Sequence, residues 1–401
     1  MKNNKKLLII GFFGNLFFER GIWVIYLLSI GFNMFEVSIL QAILNITMFL
    51  TEIPTGYISD KLGRKKGLLS GHSFIALYLV IFLIFHDFWI LSLAYILYGI
   101  GLTFISGTDQ AYLYDSLKYD NSEQLYGKSI AIYNSTIIVA LSLAMFIGGY
   151  IQLISWNYIF LLGLFCQLIT IIIITRLKEI PLIETEDSSN SNSESSTSFA
   201  SEMKKFIELN SGFKFLILSI STFFATTSIF YMFGQEILQN SGIPIHHISS
   251  LFAGIAIIQA TLSIFSYKLE DKYSSKKVLI FTFGFIGLLY LFMLINHPII
   301  IIFAFILINS LYDLVDPISS KIINNEIPSK MRATILSLIN LITSLIMFIG
   351  SLLIGYLSSF INSLVLFSII GLLTIILSTT TLTIFYKSKS STEKVLGLNY
   401  D

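Results

Sequence analysis

The chain is a succession of apolar runs about twenty residues long, each ended by a loop that holds the charged and turn-forming residues. About twenty residues is the length at which an α-helix, rising about 1.5 Å per residue, crosses a hydrocarbon core of about 30 Å. Such runs fall at 7–30, 37–58, 67–86, 88–110, 127–152, 155–177, 213–237, 247–268, 278–296, 298–320, 333–358 and 362–386, twelve in all. No other feature restricts the fold as strongly. A backbone cut off from water must satisfy its own hydrogen bonds, and a run of this length does so as a helix. The residues agree, being 55% hydrophobic and only 12% charged, where a soluble domain carries about 25% charged residues. The expected fold class is an all-α membrane protein with twelve transmembrane helices.

Orientation follows from lysine and arginine, which concentrate in cytoplasmic loops. With the N-terminus inside, Lys2, Lys5 and Lys6 and the loops after every even-numbered span hold all of the 25 cations except Arg20. Both termini are therefore expected in the cytoplasm of a multi-pass protein of the cell (plasma) membrane. The N-terminal apolar run is too long for a signal peptide and lacks a small-residue cleavage site, so it is read as the first span. Net charge +1 says nothing about nucleic acid, because the cations sit in short loops rather than on one continuous face, and no nucleic-acid partner is expected. The single cysteine, Cys166, excludes an intrachain disulfide and a cysteine metal cluster. No metal site is expected, because the five histidines are read as lying near span ends.

Residues 179–212 include a serine-rich acidic stretch that has no apolar surface to bury, and they read as a cytoplasmic linker. The linker separates an N-terminal six-helix bundle, 1–178, from a C-terminal one, 213–401. The two halves look duplicated. Asp60-Lys61…Lys65-Lys66 reappears as Asp271-Lys272…Lys276-Lys277, an offset of 211. Gly149-Tyr150 recurs as Gly355-Tyr356 and Asp109 as Asp316, at offsets of 206 and 207. Three matches in order at nearly constant offset describe two pseudo-symmetric halves.

Between the second and third spans lies the basic elbow Gly56-Tyr57-Ile58-Ser59-Asp60-Lys61-Leu62-Gly63-Arg64-Lys65-Lys66. It leaves no room for a domain, so the flanking helices are antiparallel neighbours. Gly56 is expected to let the backbones approach, Gly63 to make the turn and Asp60 to cap a helix. The pattern Gly-x-x-x-Asp-Lys-x-Gly-Arg-Lys resembles the loop between helices 2 and 3 of major facilitator superfamily transporters. Asn325-Glu326-Ile327-Pro328…Arg332-Ala333-Thr334-Ile335-Leu336-Ser337 is similar to the entry to helix 11 in many bacterial members.

The resemblance, nearest to bacterial drug-antiporter-like members, implies two pseudo-symmetric six-helix bundles around a cavity lined by helices 1, 4, 7 and 10. It also implies alternating access without a cofactor, with the proton gradient as energy source. The implied partners are a small-molecule substrate and the lipid bilayer, and the implied state is a monomer. The expected function is secondary active transport, namely proton-coupled efflux of lipophilic or amphipathic small molecules. The alternative is an importer or symporter of a small metabolite on the same fold. Two features depart from the antiporter pattern. The fourth span holds no arginine, and Gly148-Gly149-Tyr150 closes the fifth without a preceding Gly-Pro. An enzyme is not expected, since no nucleophile–base pair or nucleotide loop is present. The resemblance also implies a cytoplasmic gating motif of Gly56, Asp60, Lys61, Gly63, Arg64, Lys65 and Asp115. In it Asp60, Arg64 and Asp115 share charge, and Asp60 meets the start of span 11 near Ala333.

Charged side chains inside a span are costly unless paired or facing water, so each is a functional candidate. Glu19 and Arg20 lie near the middle of the first span, and as helical neighbours would point about 100° apart. Glu52 precedes Pro54 in the second span, and Asp313, then Asp316-Pro317, occupy the tenth. Both prolines permit kinks. An acid that alternates between water and closure gains and loses a proton, because burial disfavours the charged form. Glu19, Asp313 and Glu52, in that order, are the proton-coupling candidates. Arg20, Asp109 and Asp316 are candidates for cavity or ion-pair roles, with a static Arg20–Glu52 pair as the purely structural alternative.

Overall fold

A computed structural model describes residues 3–180, 212–327 and 332–396, and these are helical throughout apart from short turns. The expected linker lies outside these residues over 181–211, as do residues 328–331 at the entry to span 11. The helices are α1 (Asn3–Gly14), α2 (Trp23–Ser29), α3 (Met34–Leu62), α4 (Arg64–Ile84), α5 (Phe88–Ile105), α6 (Thr108–Tyr119) and α7 (Tyr126–Ile151). They continue with α8 (Trp156–Thr175), α9 (Phe213–Asn240), α10 (Ile245–Lys272), α11 (Ser275–Met293), α12 (Pro298–Glu326), α13 (Arg332–Leu357) and α14 (Ser363–Leu396). Eleven of the twelve expected spans are long and apolar enough to cross a membrane, the fourth as α5 and α6 in line. The first is broken into α1 and α2.

Local chemistry sets the ends. Asn33 caps α3 by accepting from Glu36 N at 3.0 Å, while the Glu36 carboxylate accepts from Asn33 N at 2.9 Å. Asp87 caps α5 by accepting from Trp89 N and Ile90 N, and Pro298 opens α12 where its missing N–H costs nothing. Pro54 and Pro317 sit inside α3 and α12, which run on through them. The irregular backbone lies elsewhere, over residues 15–22 of the first span and at Ser106–Gly107 of the fourth, where Gly107 has φ +74°.

The chain divides into two compact units. The first holds the described residues of Met1–Leu182, Tyr231–Ala260 and Phe348–Ser363, and the second those of Ile183–Phe230, Thr261–Met347 and Leu364–Asp401. In the first unit, α4 packs between α5 and α8, and α1 lies against α7 and α8. A core of Leu7, Ile10, Leu68, Tyr112, Leu113, Tyr133 and Ile174 closes it at the end that carries the basic elbow. At the opposite end the outer parts of α9, α10 and α13 join this unit. Ser249 donates to Met145 O at 2.5 Å, and the Phe35 and Tyr356 rings meet edge to face at 6.1 Å. Within the second unit, Phe230 touches Tyr290, Phe305 and Phe367, and Ser219 donates to Ser378 O at 2.7 Å. Large apolar side chains such as Ile53, Trp89, Phe281 and Ile299 stand exposed, as a surface solvated by lipid tails requires.

Candidate functional site

Glu19 and Arg20 stand on the non-helical backbone between α1 and α2. The expected 100° separation of helical neighbours does not apply there, because the helix is interrupted at both residues. Glu19 is 4% exposed, and its Oε2 is buried without a hydrogen-bond partner. Arg20 has no acid within ion-pair distance among the described residues, so the Arg20–Glu52 pair is not formed. With Trp23 of α2, Gln41 and Leu44 of α3, Tyr78 of α4, and Tyr95 and Tyr98 of α5, the two residues line a cavity of about 10 Å³. That is room for about one water molecule, and no organic solute fits without rearrangement.

The wall is aromatic and polar at once. Tyr78 and Tyr98 stack at 4.6 Å, Tyr95 stands perpendicular to Tyr78 at 6.1 Å, and Trp23 leans on Tyr95 at 6.1 Å. Such rings present flat faces for packing and hydroxyls for hydrogen bonding. Gln41 donates to Asn45 Oδ1 at 3.1 Å along α3.

Several buried groups around the break were not singled out by sequence reasoning. Gln167 on α8 donates to Gly14 O at 3.0 Å and accepts from His72 Nδ1 at 2.9 Å, which fixes that nitrogen as the protonated one. His72 lies within α4 at 2% exposure, not near a span end as expected. Gln235 on α9 accepts from Val24 N at 2.9 Å and donates to Arg20 O at 3.3 Å. The available signal was the amide itself, since both glutamines fall inside apolar runs where polar groups seek interhelical partners.

Asp109 opens α6 just past Gly107 and is 8% exposed. It accepts from Tyr133 O–H at 2.9 Å and from Gln110 N at 2.7 Å. The Tyr133 ring lies on Gly11 so closely that a Cβ there would be 2.5 Å from it. Glu52 is exposed on α3, outside the cavity lining. In the second unit, Asp313 is half-buried and Asp316 exposed on α12.

At the basic elbow, Gly63 adopts φ +101° between α3 and α4, a conformation that favours glycine. Arg64 pairs with Asp60, and its Nε lies 3.7 Å from Asp115 Oδ2, so one guanidinium joins α3, α4 and α6. Two details differ from the sequence reading. Asp60 pairs with Arg64 and does not cap α4, whose N-cap is Gly63 with no side-chain cap. Close approach occurs at Gly67, where a Cβ would be 2.4 Å from Ser59 Oγ; among the described residues nothing lies within 4 Å of one at Gly56. Lys61 stands over the Tyr57 ring at 6.0 Å, and Lys65 is half-exposed. The expected meeting of Asp60 with span 11 near Ala333 falls on side chains, 328–334, outside those described.

Comparison with known proteins gives the arrangement its context. The family model of the Major Facilitator Superfamily matches residues 8–235 and again 215–398. The MFS-type transporter YxaM of Bacillus subtilis (strain 168) is 23% identical over 323 residues, 79% of each chain. The crystal structure of the nucleoside transporter NupG superposes with a TM-score of 0.76 at 15% identity, covering 97% of this chain and 99% of that one. That of a D-xylose-proton symporter superposes with a TM-score of 0.66 at 13% identity, covering 94% and 95%. At such identities the structural likeness is one of fold. The family match spans nearly all of the helices described above, and the chain belongs to the Major Facilitator Superfamily of secondary transporters.

Proposed function

We propose that the protein is a proton-coupled carrier of small polar organic solutes, with Glu19 holding the coupling proton and Arg20 the solute. The observation that carries this reading is the pair itself. An acid and a guanidinium stand adjacent and, among the described residues, without ion-pair partners, on interrupted backbone in the middle of a span. Ionisable groups at membrane depth mark solute and proton paths, and interrupted helices form such sites in secondary transporters. Asp313 and then Glu52 are the further candidates for the proton. Asp60, Arg64 and Asp115 act as a latch at the end proposed to be cytoplasmic, in a monomer of the plasma membrane with both termini inside.

Of the two cargo classes considered, the lining favours the polar one. A guanidinium, a carboxyl group and three phenols would face a lipophilic molecule without gaining partners from it, which is costly in a dry site. The fold's likeness to transporters named for nucleosides and xylose supports the same choice. Efflux of lipophilic or amphipathic compounds is the second reading, favoured by the ring faces of Trp23, Tyr78, Tyr95 and Tyr98. The test is counterflow in proteoliposomes with labelled nucleosides, pentoses, dipeptides and carboxylic acids, set against lipophilic dyes. Counterflow of a polar solute supports the proposal, while exchange of the dyes alone establishes the second reading.

A further inference from the structure

The break in the first span strands backbone groups. Carbonyls before it and N–H groups after it lose their helical partners, and in a membrane each must find another. Local turns and the Asn15 amide, which donates to Gly11 O at 2.8 Å, provide some, and two glutamines from other helices provide others. Gln167 takes the Gly14 side of the break, through Gly14 O, and Gln235 takes the Val24 side, through Val24 N and Arg20 O. Both are at most 1% exposed. They differ in where they come from. Gln167 belongs to α8, packed beside α1 and α4. Gln235 belongs to the segment Tyr231–Ala260, which follows the linker in sequence and joins the first unit at the end opposite the basic elbow.

The contacts that hold that end closed are close and small. A Cβ at Gly21 would be 2.6 Å from Ser249 Oγ, one at Gly149 2.6 Å from Ser249 Cβ, and one at Gly355 2.3 Å from Ser38 Oγ. Any opening there moves Gln235 off Val24 N and Arg20 O in the same motion. We propose that Gln235 is a positioning residue, which fixes the backbone of Glu19 and Arg20 in this shape only while that end is closed. Opening removes one acceptor and one donor from the break and releases the two charged side chains from the collapsed cavity. The proposal deepens the transport reading and rests on it for its purpose. By linkage, loosening the break must also loosen the closure.

The test uses the full chain in lipid nanodiscs, with Cys166→Ser and Ser249→Cys as a common background. Ser249 is fully buried at the closed end, so the labelling rate of Cys at 249 by an impermeant maleimide reports opening. Hydrogen exchange of peptides covering residues 20–26 reports the break. Gln235→Met keeps the volume and removes both hydrogen bonds. We expect about a tenfold rise in both readouts, the size of two neutral hydrogen bonds lost in one state. Gln235→Glu keeps the acceptor for Val24 N and is expected to restore much of the exchange protection. Gly355→Leu wedges the end apart while touching α3 rather than the break, and should raise exchange at 20–26 as well. Faster exchange without faster labelling in Gln235→Met overturns the coupling, as does a Gly355→Leu protein that labels fast with unchanged exchange. If Gln235→Met fails to fold, the wedge variant decides alone. Neither readout involves solute uptake, so a protein that moves no solute contradicts the transport reading and leaves this one standing.

Discussion

Replacing Gln167 by Met removes the support of the break from one side while keeping chain length and volume. Two partners are lost: Gly14 O loses its donor and His72 Nδ1–H its acceptor. Both residues are buried, and Gly14 is hemmed in by the His72 ring, to which a Cβ would come within 2.5 Å. Stranding a buried polar group costs about 1–3 kcal/mol. Membrane hydrogen bonds average about 0.6 kcal/mol because the unfolded chain also finds partners in the bilayer. Between these limits, two losses should destabilise the fold by about 1–3 kcal/mol. Denaturant titration in mixed micelles, read through tryptophan fluorescence, measures this, and Trp23 sits at the start of α2 beside the break. A cycle with His72→Ala should show coupling above about 0.5 kcal/mol, as for residues in direct contact. A loss below about 0.5 kcal/mol, the range of an ordinary surface substitution, would refute the claim that this amide holds the break.

Tyr133→Phe keeps the ring on Gly11 and deletes the hydroxyl that donates to Asp109; the same titration should show a loss of about 1–3 kcal/mol, because Asp109 is buried. Asp60→Asn should largely abolish transport in proteoliposomes while the protein remains in the membrane. Its stability should change by less than about 1 kcal/mol, since the Asp60 carboxylate is exposed. Near-normal transport by that variant would remove the latch.

What could be read from the sequence is what short stretches encode. Hydropathy located the spans, because crossing a bilayer demands a continuous apolar run. Asn33-x-x-Glu36 and Asp87 announce helix starts through groups only two or three residues apart. Gly63 and the cations around it marked the elbow for the same reason. The break at residues 15–22 was not legible. Its run is as apolar as its neighbours, and its hydrogen-bond partners lie 153 and 211 residues away. The prolines do not mark the breaks: α3 and α12 run on through Pro54 and Pro317, and the breaks fall where tertiary hydrogen bonds or a positive-φ glycine permit them. Close approach was expected at Gly56 and occurs at Gly67, because helix phase, rather than proximity to the turn, decides which glycine faces the neighbouring helix. Glu19 and Arg20 stood out by charge alone, but their setting on interrupted backbone came only from the fold.

In the proposed cycle Glu19 carries the proton that drives the solute. The direct measurement is uptake into proteoliposomes under an imposed pH difference, using whichever polar solute of the counterflow panel is exchanged. Wild-type protein should accumulate the solute in response to the gradient. Glu19→Gln, a mimic of the protonated acid, should still exchange solute in counterflow and lose the response to pH. Gradient-driven accumulation at the wild-type rate by Glu19→Gln, and equally by Asp313→Asn, would contradict the account.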